Sequence, residues 1–279
     1  MVIAHGPWID VHAHPGRCFF VDAGEGHALA PMLGSSDPVA GLRAAQAAGL
    51  AAVSFATVAD LAVLELTQER GLHAGRPFEP GEAYADHQRQ MAGLTRLLLA
   101  EGAELARTAR DIERAHEGGR TAVLLTCEGG DFLEGDLARV LEARDAGMSS
   151  LTLVHYRVNE IGDIQTEPPV HEGITPFGRD VVAECNRLGV VIDCAHATYA
   201  TTIGVLDASA APVMISHSHL DHPDRSHPRL LSVEHAAAVA AAGGLVGAWP
   251  SGVTNGTLDD FVDEIVRLVD LIGVVHVGI

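Results

Sequence analysis

Apolar and polar residues follow one another along the chain in alternating blocks. Short apolar runs are separated by longer stretches in which apolar residues recur at helical spacing. Because the runs are almost wholly apolar, they are typical of parallel strands covered by helices on both faces. We predict eight strands, at 7–14, 50–59, 121–130, 149–156, 189–196, 211–218, 243–252 and 274–279.

The stretches between these runs carry the signals of helices. Asp37-Pro38 is a typical helix start, and the pattern that follows it ends at Gly49. The segment 84–119 is periodic throughout and ends in two glycines, which predicts one long helix. Thr175-Pro176 and Ser232 are candidate N-caps for later helices. Further helices are predicted at 136–147, 175–189, 197–209, 232–244 and 258–273.

Eight strands that alternate with helices predict an α/β fold, specifically a (β/α)8 barrel of the TIM type. The main alternative is an open, doubly wound sheet. No GxGxxG or GxxxxGK[ST] motif follows the first strand, which disfavours the nucleotide-binding forms of that sheet. We expect residues 1–279 to form a single domain, since neither a short repeat nor a low-complexity linker interrupts the pattern.

Composition and charge narrow the classes of partner. Hydrophobic residues make up 47% of the 279 residues, enough for a sizeable core. The formal net charge of −19 disfavours binding to nucleic acid and to anionic membrane surfaces. The N-terminal ten residues lack the pattern of a signal peptide, and no apolar run is long enough to span a bilayer. We therefore expect a cytoplasmic protein.

The four cysteines form no CxxC pair and do not have the spacing of a zinc ribbon. Two of them lie inside apolar runs, where a small buried thiol is the usual interpretation. We predict that all four are reduced and structural: Cys18, Cys127, Cys185 and Cys194.

Histidines and one glutamate lie at the C-terminal ends of the predicted strands, where the active site of a barrel forms. Imidazoles and carboxylates are the usual ligands of zinc. The HxH pair lies on one face of the first strand, because side chains alternate with period two. These residues predict a metal site, and structural core histidines are the alternative: His12, His14, Glu128, His155, His196 and His217. Five other histidines are predicted to lie on the surface: His73, His87, His116, His222 and His235.

Several longer segments resemble the membrane (renal) dipeptidase family of zinc peptidases, within the metal-dependent hydrolase barrels. The segments are CEGGDFL, LTLVHYRVNEIGD, GITPFGRDVVAECNRLGVVIDCAHAT, PVMISHS and HPRLLS. Together with the first and last strands, the resemblance extends over residues 9–279. The block 173–198 joined to SHS is the specific part of the resemblance, whereas HxH is shared by many hydrolases.

The resemblance implies a function and a role for each site residue. It implies hydrolysis of small dipeptides through a metal-activated bridging water, and a homodimer. Two zinc ions are implied, one on the strand-1 pair, the other on His196 and His217, and both bridged by Glu128. His155 matches the histidine that holds the substrate, and Arg229 the arginine that pairs with its terminal carboxylate. From the residues alone, Arg229 would instead be a solvated loop arginine.

The sequence departs from the family pattern at two places. The family carries HxD on the first strand, whereas this chain has His12 and His14. The sequence also stops at VVHVGI, where the family continues into a segment with the aspartate that shuttles protons. No residue here is assigned to that role, since the late aspartates are predicted to lie on a solvated helix face: Asp259, Asp260, Asp263 and Asp270.

These departures leave two alternatives to a dipeptidase. One is an amidohydrolase or lactonase on the same binuclear barrel. The other is a truncated member that binds metal with little activity. Asp10, two residues before His12, is expected to orient a ligand histidine.

Overall fold

A computed structural model describes residues 7–23, 27, 29–34, 36–224, 226–251 and 255–279. Gly252, the last residue of one predicted strand, lies outside the described residues, as do the first six residues of the chain. The structure divides into two compact units, Met1–Leu151 and Thr152–Ile279. The single domain predicted for residues 1–279 stays a prediction.

The first unit is built on parallel strands. Strand β2, Ala52–Val58, is buried along its whole length, as its apolar sequence predicts. It pairs in parallel with β1 on one side and β6 on the other, so that Ala52 lies opposite both Ile9 and Ala122. The strands of this unit are β1 (Ile9–Asp10), β2, β3 (Leu64–Thr67), β4 (Gly71–Ala74), β5 (Glu104–Leu105), β6 (Ala122–Glu128) and β7 (Met148–Thr152), whose final residue begins the second unit.

The second unit continues the same pattern. Its strands are β8 (Val191–Asp193), β9 (Met214–Ser218), β10 (Leu245–Ala248) and β11 (Val277–Gly278). They are parallel neighbours in chain order, with Asp193 opposite Met214 and Val246 opposite Ile215 and Val277. All eight predicted runs contain a strand, which confirms the predicted α/β fold class of the TIM type.

Helices lie between the strands, and their ends follow from local sequence. The hydroxyl of Thr175 accepts a hydrogen bond from the amide of Gly178 at 2.9 Å, so the predicted cap is confirmed. Ser232 caps its helix in the same way, through the amide of His235 at 3.2 Å. The helices are α1 (Ala30–Leu33), α2 (Pro38–Ala47), α3 (Glu82–Ala100), α4 (Ala109–Glu117), α5 (Ala138–Asp145), α6 (Pro176–Leu188), α7 (Tyr199–Ala208), α8 (Val233–Ala241) and α9 (Leu258–Ile272).

The long helix predicted at 84–119 is wrong, because the segment forms two helices. Helix α3 ends at Ala100, and Gly102 takes a left-handed backbone conformation with φ of 74°. Strand β5 follows it, and a capping box between Thr108 and Asp111 begins α4. Helical periodicity on both sides of the break concealed it. The hairpin of β3 and β4, which pair in antiparallel register, was also not predicted.

Burial confirms the prediction made for the cysteines and contradicts the one made for three of the histidines. All four cysteines are free and buried, as predicted. Three of the histidines predicted to lie on the surface are instead buried: His73, His87 and His235. His87 stacks on Phe132 with ring centroids 3.8 Å apart, and His235 Nε2 lies 2.8 Å from the hydroxyl of Thr202. A histidine inside an amphipathic helix can face the core, which composition alone does not indicate.

Candidate metal centres

His12 and His14 lie just beyond the first strand. Strand β1 ends at Asp10, four residues earlier than predicted, because Pro15 and Gly16 begin a 3₁₀ turn at Pro15–Phe20. Gly16 has φ of 57°, and a Cβ there would lie 1.8 Å from the carbonyl oxygen of Asp37. Only glycine fits this turn without displacing the backbone. The sequence HPG therefore determines the direction of the backbone after the two histidines.

The two imidazoles converge on one buried carboxylate. Glu128 is the last residue of β6, and its side chain is only 3% exposed. His12 Nε2 lies 3.5 Å from Glu128 Oε1, and His14 Nε2 lies 3.1 Å from Oε2. We call these three residues the first donor set. One atom from each of them can be chosen so that all lie within 4.8 Å of one another.

The hydrogen bonds around the first donor set favour the positively charged form of His14 beside Glu128. Burial lowers the pKa of His14, but hydrogen bonds to Cys18 and Glu128 outweigh it and raise that pKa to about 10. His14 Nδ1 lies 2.9 Å from the carbonyl oxygen of Ala56, which holds the ring in place. Burial raises the pKa of Asp10, whose carboxylate accepts the backbone N–H of His12 at 3.2 Å. Asp10 therefore contacts the backbone of a predicted ligand.

In the second unit, two further histidines face each other. His196 follows β8 and has φ of 67°, a left-handed conformation that is uncommon for a histidine. His217 lies within β9, and its Nε2 is 3.1 Å from Nε2 of His196. We call these two residues the second donor set. Backbone strain of this kind is frequent at functional sites, where surrounding contacts maintain it.

A buried carboxylate lies behind the second donor set. Asp193, the last residue of β8, is fully buried. Its Oδ2 accepts hydrogen bonds from the hydroxyls of Thr152 at 2.6 Å and Ser216 at 2.7 Å. The hydroxyl of Ser216 also lies 2.8 Å from His217 Nδ1. Sequence reasoning missed both Asp193 and Ser216, although each is a polar residue inside a predicted apolar strand.

Arg229 is not a solvated loop residue. It is 1% exposed, and its Nη1 donates to the side-chain oxygen of Gln165 at 2.5 Å. Its guanidinium carbon lies 5.5 Å from the ring centroid of Trp249, and Nη2 lies 3.5 Å from the carbonyl oxygen of His217. The structure thus orders this arginine next to the second donor set. Gln165, which sequence reasoning also missed, lies in a segment without a recognisable motif.

His155 lies on the same side of the second unit. It follows β7 by three residues and is 5% exposed. Its ring centroid lies 4.5 Å from that of His196 and 4.6 Å from that of Tyr156, both in edge-to-face geometry. His155, His196 and His217 therefore form a row of imidazoles.

The chemistry of both donor sets fits a divalent metal ion. The first offers two imidazole nitrogens and two carboxylate oxygens, which are ligand types of zinc. In the second, the 3.1 Å between the two Nε2 atoms is close to the roughly 3.3 Å expected for two imidazoles on one tetrahedral zinc ion.

Comparison with known proteins shows the family to which this chain belongs. The family model of membrane dipeptidase, peptidase family M19, matches residues 55–279. The chain belongs to the membrane dipeptidase family. This confirms the resemblance inferred from CEGGDFL, SHS and the block 173–198. The chain is thus related to metallopeptidases that act on dipeptides.

Relatives by sequence are dipeptidases of fungi. The chain is 31% identical over 192 residues to the dipeptidase tcpJ of Claviceps purpurea, covering 65% of this chain and 44% of that protein. It is 30% identical over 184 residues to the dipeptidase verJ of Clonostachys rogersoniana, covering 63% of this chain and 46% of that protein. The chain spans about half the length of these relatives.

Solved structures share the fold. A metallopeptidase from Rhodobacter sphaeroides, liganded with a phosphinate mimic of the dipeptide L-Ala-D-Ala, matches with a TM-score of 0.71 and 22% identity. That match covers 85% of this chain and 75% of the other. The dipeptidase AC, a metallopeptidase of family M19, matches with a TM-score of 0.72 and 23% identity, covering 85% and 73%. At these identities the likeness shows the fold alone.

A helix that crosses a membrane must be both long and apolar. None of the helices in the described ranges combines the length and the hydrophobicity that a bilayer span requires.

Proposed function

We propose that this chain is a zinc-dependent dipeptidase that hydrolyses the peptide bond of small dipeptides. The observation that carries the proposal is the first donor set, in which His12 and His14 each approach one oxygen of the buried Glu128. Because the chain belongs to the membrane dipeptidase family, we interpret this set as a metal site at the reaction centre. Replacement of the family's aspartate by His14 keeps a ligand at that position.

The donor sets account for two zinc ions. We propose that the first donor set holds one ion, that His196 and His217 hold the other, and that Glu128 is the ligand both ions share. Zinc bound to these residues would polarise the scissile carbonyl and lower the pKa of a water molecule. Glu128 and His196 are buried, and the rings of His14 and His217 contact the carbonyl of Ala56 and the hydroxyl of Ser216. These contacts would hold the proposed ligands in place before a metal ion binds.

Arg229 is proposed to bind the terminal carboxylate of the dipeptide. Its guanidinium stays charged and can donate two parallel hydrogen bonds to a carboxylate. The side-chain oxygen of Gln165 and the backbone oxygen of His217 accept hydrogen bonds from the guanidinium and orient it. An arginine at this position would measure substrate length, because it requires a free carboxylate one residue from the scissile bond.

His155 is proposed to bind the substrate carbonyl. An imidazole N–H can donate to the oxygen on which negative charge develops during attack, which stabilises the transition state more than the ground state. Its ring is held at an angle between Tyr156 and His196 by edge-to-face contacts. The Rhodobacter sphaeroides neighbour holds a mimic of L-Ala-D-Ala, which supports a dipeptide as the substrate class here.

The test combines metal content with substrate length. We expect close to two zinc ions per chain after reconstitution, by elemental analysis, and hydrolysis of L-Ala-D-Ala but not of the same dipeptide with an amidated C-terminus. Arg229→Lys should raise KM by about 10–100-fold with kcat less affected, because the charge stays but the two-pronged contact is lost. Arg267→Lys is the matched control, since that arginine pairs with Glu264 on α9.

Three results would contradict the proposal. They are less than one zinc ion per chain, equal hydrolysis of the free and amidated dipeptides, and an unchanged KM in Arg229→Lys. Hydrolysis of cyclic amides or lactones with no turnover of dipeptides would favour the amidohydrolase or lactonase alternative. Full zinc loading without any turnover would favour the member that binds metal with little activity.

The homodimer, the cytoplasmic location and the absence of a nucleic-acid partner stay predictions from the sequence.

A further inference from the structure

The carboxylate behind the second donor set has a defined arrangement of donors. Oδ1 of Asp193 accepts two backbone N–H groups, from Ala195 and from Ser216, both at 2.9 Å. Oδ2 accepts two hydroxyls, from Thr152 at 2.6 Å and from Ser216 at 2.7 Å. The side chain is fully buried, so water does not compete for these positions.

These contacts determine where the proton of Ser216 lies. A serine hydroxyl carries one proton, and two oxygens 2.7 Å apart need a proton between them. The proton of Ser216 is therefore directed at Asp193. Towards His217 the serine oxygen can then act only as an acceptor, and His217 Nδ1, 2.8 Å away, must be the donor.

We propose that Asp193, acting through Ser216, is a positioning residue that holds His217 as its Nδ1–H tautomer. In that tautomer the lone pair is on Nε2, the atom that lies 3.1 Å from Nε2 of His196. A neutral imidazole binds a metal through its unprotonated nitrogen, so the network prepares His217 as a ligand before any ion binds. The consequence for metal binding rests on the proposed function, but the tautomer does not.

The decisive variant is Asp193→Asn, which keeps the shape of the side chain and replaces one hydrogen-bond acceptor by a donor. The two backbone N–H groups on Oδ1 require an oxygen there, so the amide nitrogen must take the position of Oδ2. That nitrogen would donate to Ser216, whose proton would then turn to His217 Nδ1. His217 should switch to its Nε2–H tautomer.

The first measurement is the ¹⁵N NMR spectrum of the histidine rings in the metal-free, full-length chain. The wild type should show His217 protonated at Nδ1, and Asp193→Asn should show it protonated at Nε2. A purely structural role of Asp193 would lower stability without exchanging the two ring nitrogens. An unchanged tautomer in a folded Asp193→Asn protein would overturn the proposal.

The second measurement is zinc affinity, by competition with a chelator. Ser216→Ala removes the relay, and zinc affinity should fall by roughly 10–100-fold. Ser216→Thr keeps the hydroxyl and should restore most of it. Ser149→Ala is the matched control for loss of a buried serine hydroxyl, since Ser149 donates to the carbonyl of Leu125 at 2.9 Å; its zinc affinity should equal that of the wild type.

The two serine variants also decide the question if Asp193→Asn does not fold. Zinc affinities in Ser216→Ala and Ser149→Ala that agree within about twofold would overturn the relay. A wild-type chain that hydrolyses no dipeptide would contradict the proposed function. The tautomer of His217 does not depend on that result, because the NMR spectrum of the metal-free chain measures it directly.

Discussion

The two donor sets use a carboxylate in different ways. In the first, Glu128 lies between two imidazoles and is itself a candidate ligand. In the second, two imidazole nitrogens face each other, and the carboxylate of Asp193 lies one hydroxyl away from His217. As a ligand, Glu128 would supply negative charge to a metal ion directly, whereas Asp193 would act on the second donor set only through a hydrogen-bonded serine.

This difference has a physical consequence for metal binding. A carboxylate in direct contact contributes a full charge to the metal, so its loss removes a ligand. A carboxylate that acts through a hydroxyl orients the imidazole ring and increases its basicity. It contributes less to metal affinity than a direct ligand does. The first donor set should therefore depend on its carboxylate more strongly than the second.

The largest expected effect comes from Glu128→Gln. The amide keeps the shape but removes the charge, so we expect zinc affinity to fall by more than about 100-fold and the zinc content to fall to one ion per chain or fewer. Elemental analysis and chelator competition measure both. Asp193→Asn should lower zinc affinity by a smaller factor, and this difference is what distinguishes the two donor sets.

Glu65→Gln is the matched control for this variant. Glu65 also pairs with a histidine, His73, at 3.0 Å, but on the hairpin of β3 and β4. It should retain two zinc ions at wild-type affinity. If Glu128→Gln binds zinc as Glu65→Gln does, Glu128 is not a metal ligand and the difference between the two donor sets disappears.

A change in the turn after His14 should have the next largest effect. Gly16→Ala would place a Cβ 1.8 Å from a backbone oxygen in a left-handed conformation. We expect a loss of about 3 kcal/mol in the free energy of unfolding, together with weaker zinc binding, because the turn positions His14. Chemical denaturation and zinc competition measure the two effects.

Gly49→Ala separates strain from crowding. Gly49 also has positive φ, 73°, but no atom lies within 4 Å of a Cβ built there. It should cost about 1 kcal/mol and leave zinc binding unchanged. An equal effect of the two substitutions would show that the HPG turn has no special part in forming the first donor set.

The smallest expected effect concerns two of the buried histidines outside the donor sets, His87 in the first unit and His235 in the second. Burial lowers the pKa of His87 to about 3 and that of His235 to about 4. Both groups are neutral in the folded chain, whereas the unfolded chain takes up protons below pH of about 6.5. Stability is therefore present above that pH and is lost as the pH falls, by up to about 2 kcal/mol per histidine between pH 7 and pH 5.

Denaturation of the metal-free protein at pH 7 and pH 5 tests this effect. His87→Gln and His235→Gln should each reduce the difference in unfolding free energy between the two pH values. His116→Gln is the control, because His116 is exposed on α4. Equal pH dependence in all three variants would contradict the assignment of His87 and His235 as buried neutral groups.

Much of the fold could be predicted from the chain alone. A parallel strand buried on both faces has to be apolar throughout, so runs such as Ala52–Val58 are visible in the sequence. The caps at Thr175 and Ser232 were equally visible, since they depend on neighbouring residues only. The break between α3 and α4 was hidden because the periodicity is helical on both sides of it.

The candidate site was predicted in part. The ligand types and their places at strand ends follow from spacing, and the structure brings His12 and His14 onto Glu128, and His196 onto His217. Asp193, Ser216 and Gln165 were missed, because a polar residue inside an apolar strand or an irregular segment has no pattern that indicates its partner.

By itself, the sequence determined the family, the chemical types at the candidate site, and the order of strands and helices apart from the break within 84–119 and the hairpin of β3 and β4. Each of these depends on local pattern or on motif. Tertiary structure alone decided which nitrogen faces which oxygen, that Arg229 and His87 are buried, and that a serine connects Asp193 to His217. These depend on contacts between residues far apart in the chain, which local spacing does not record.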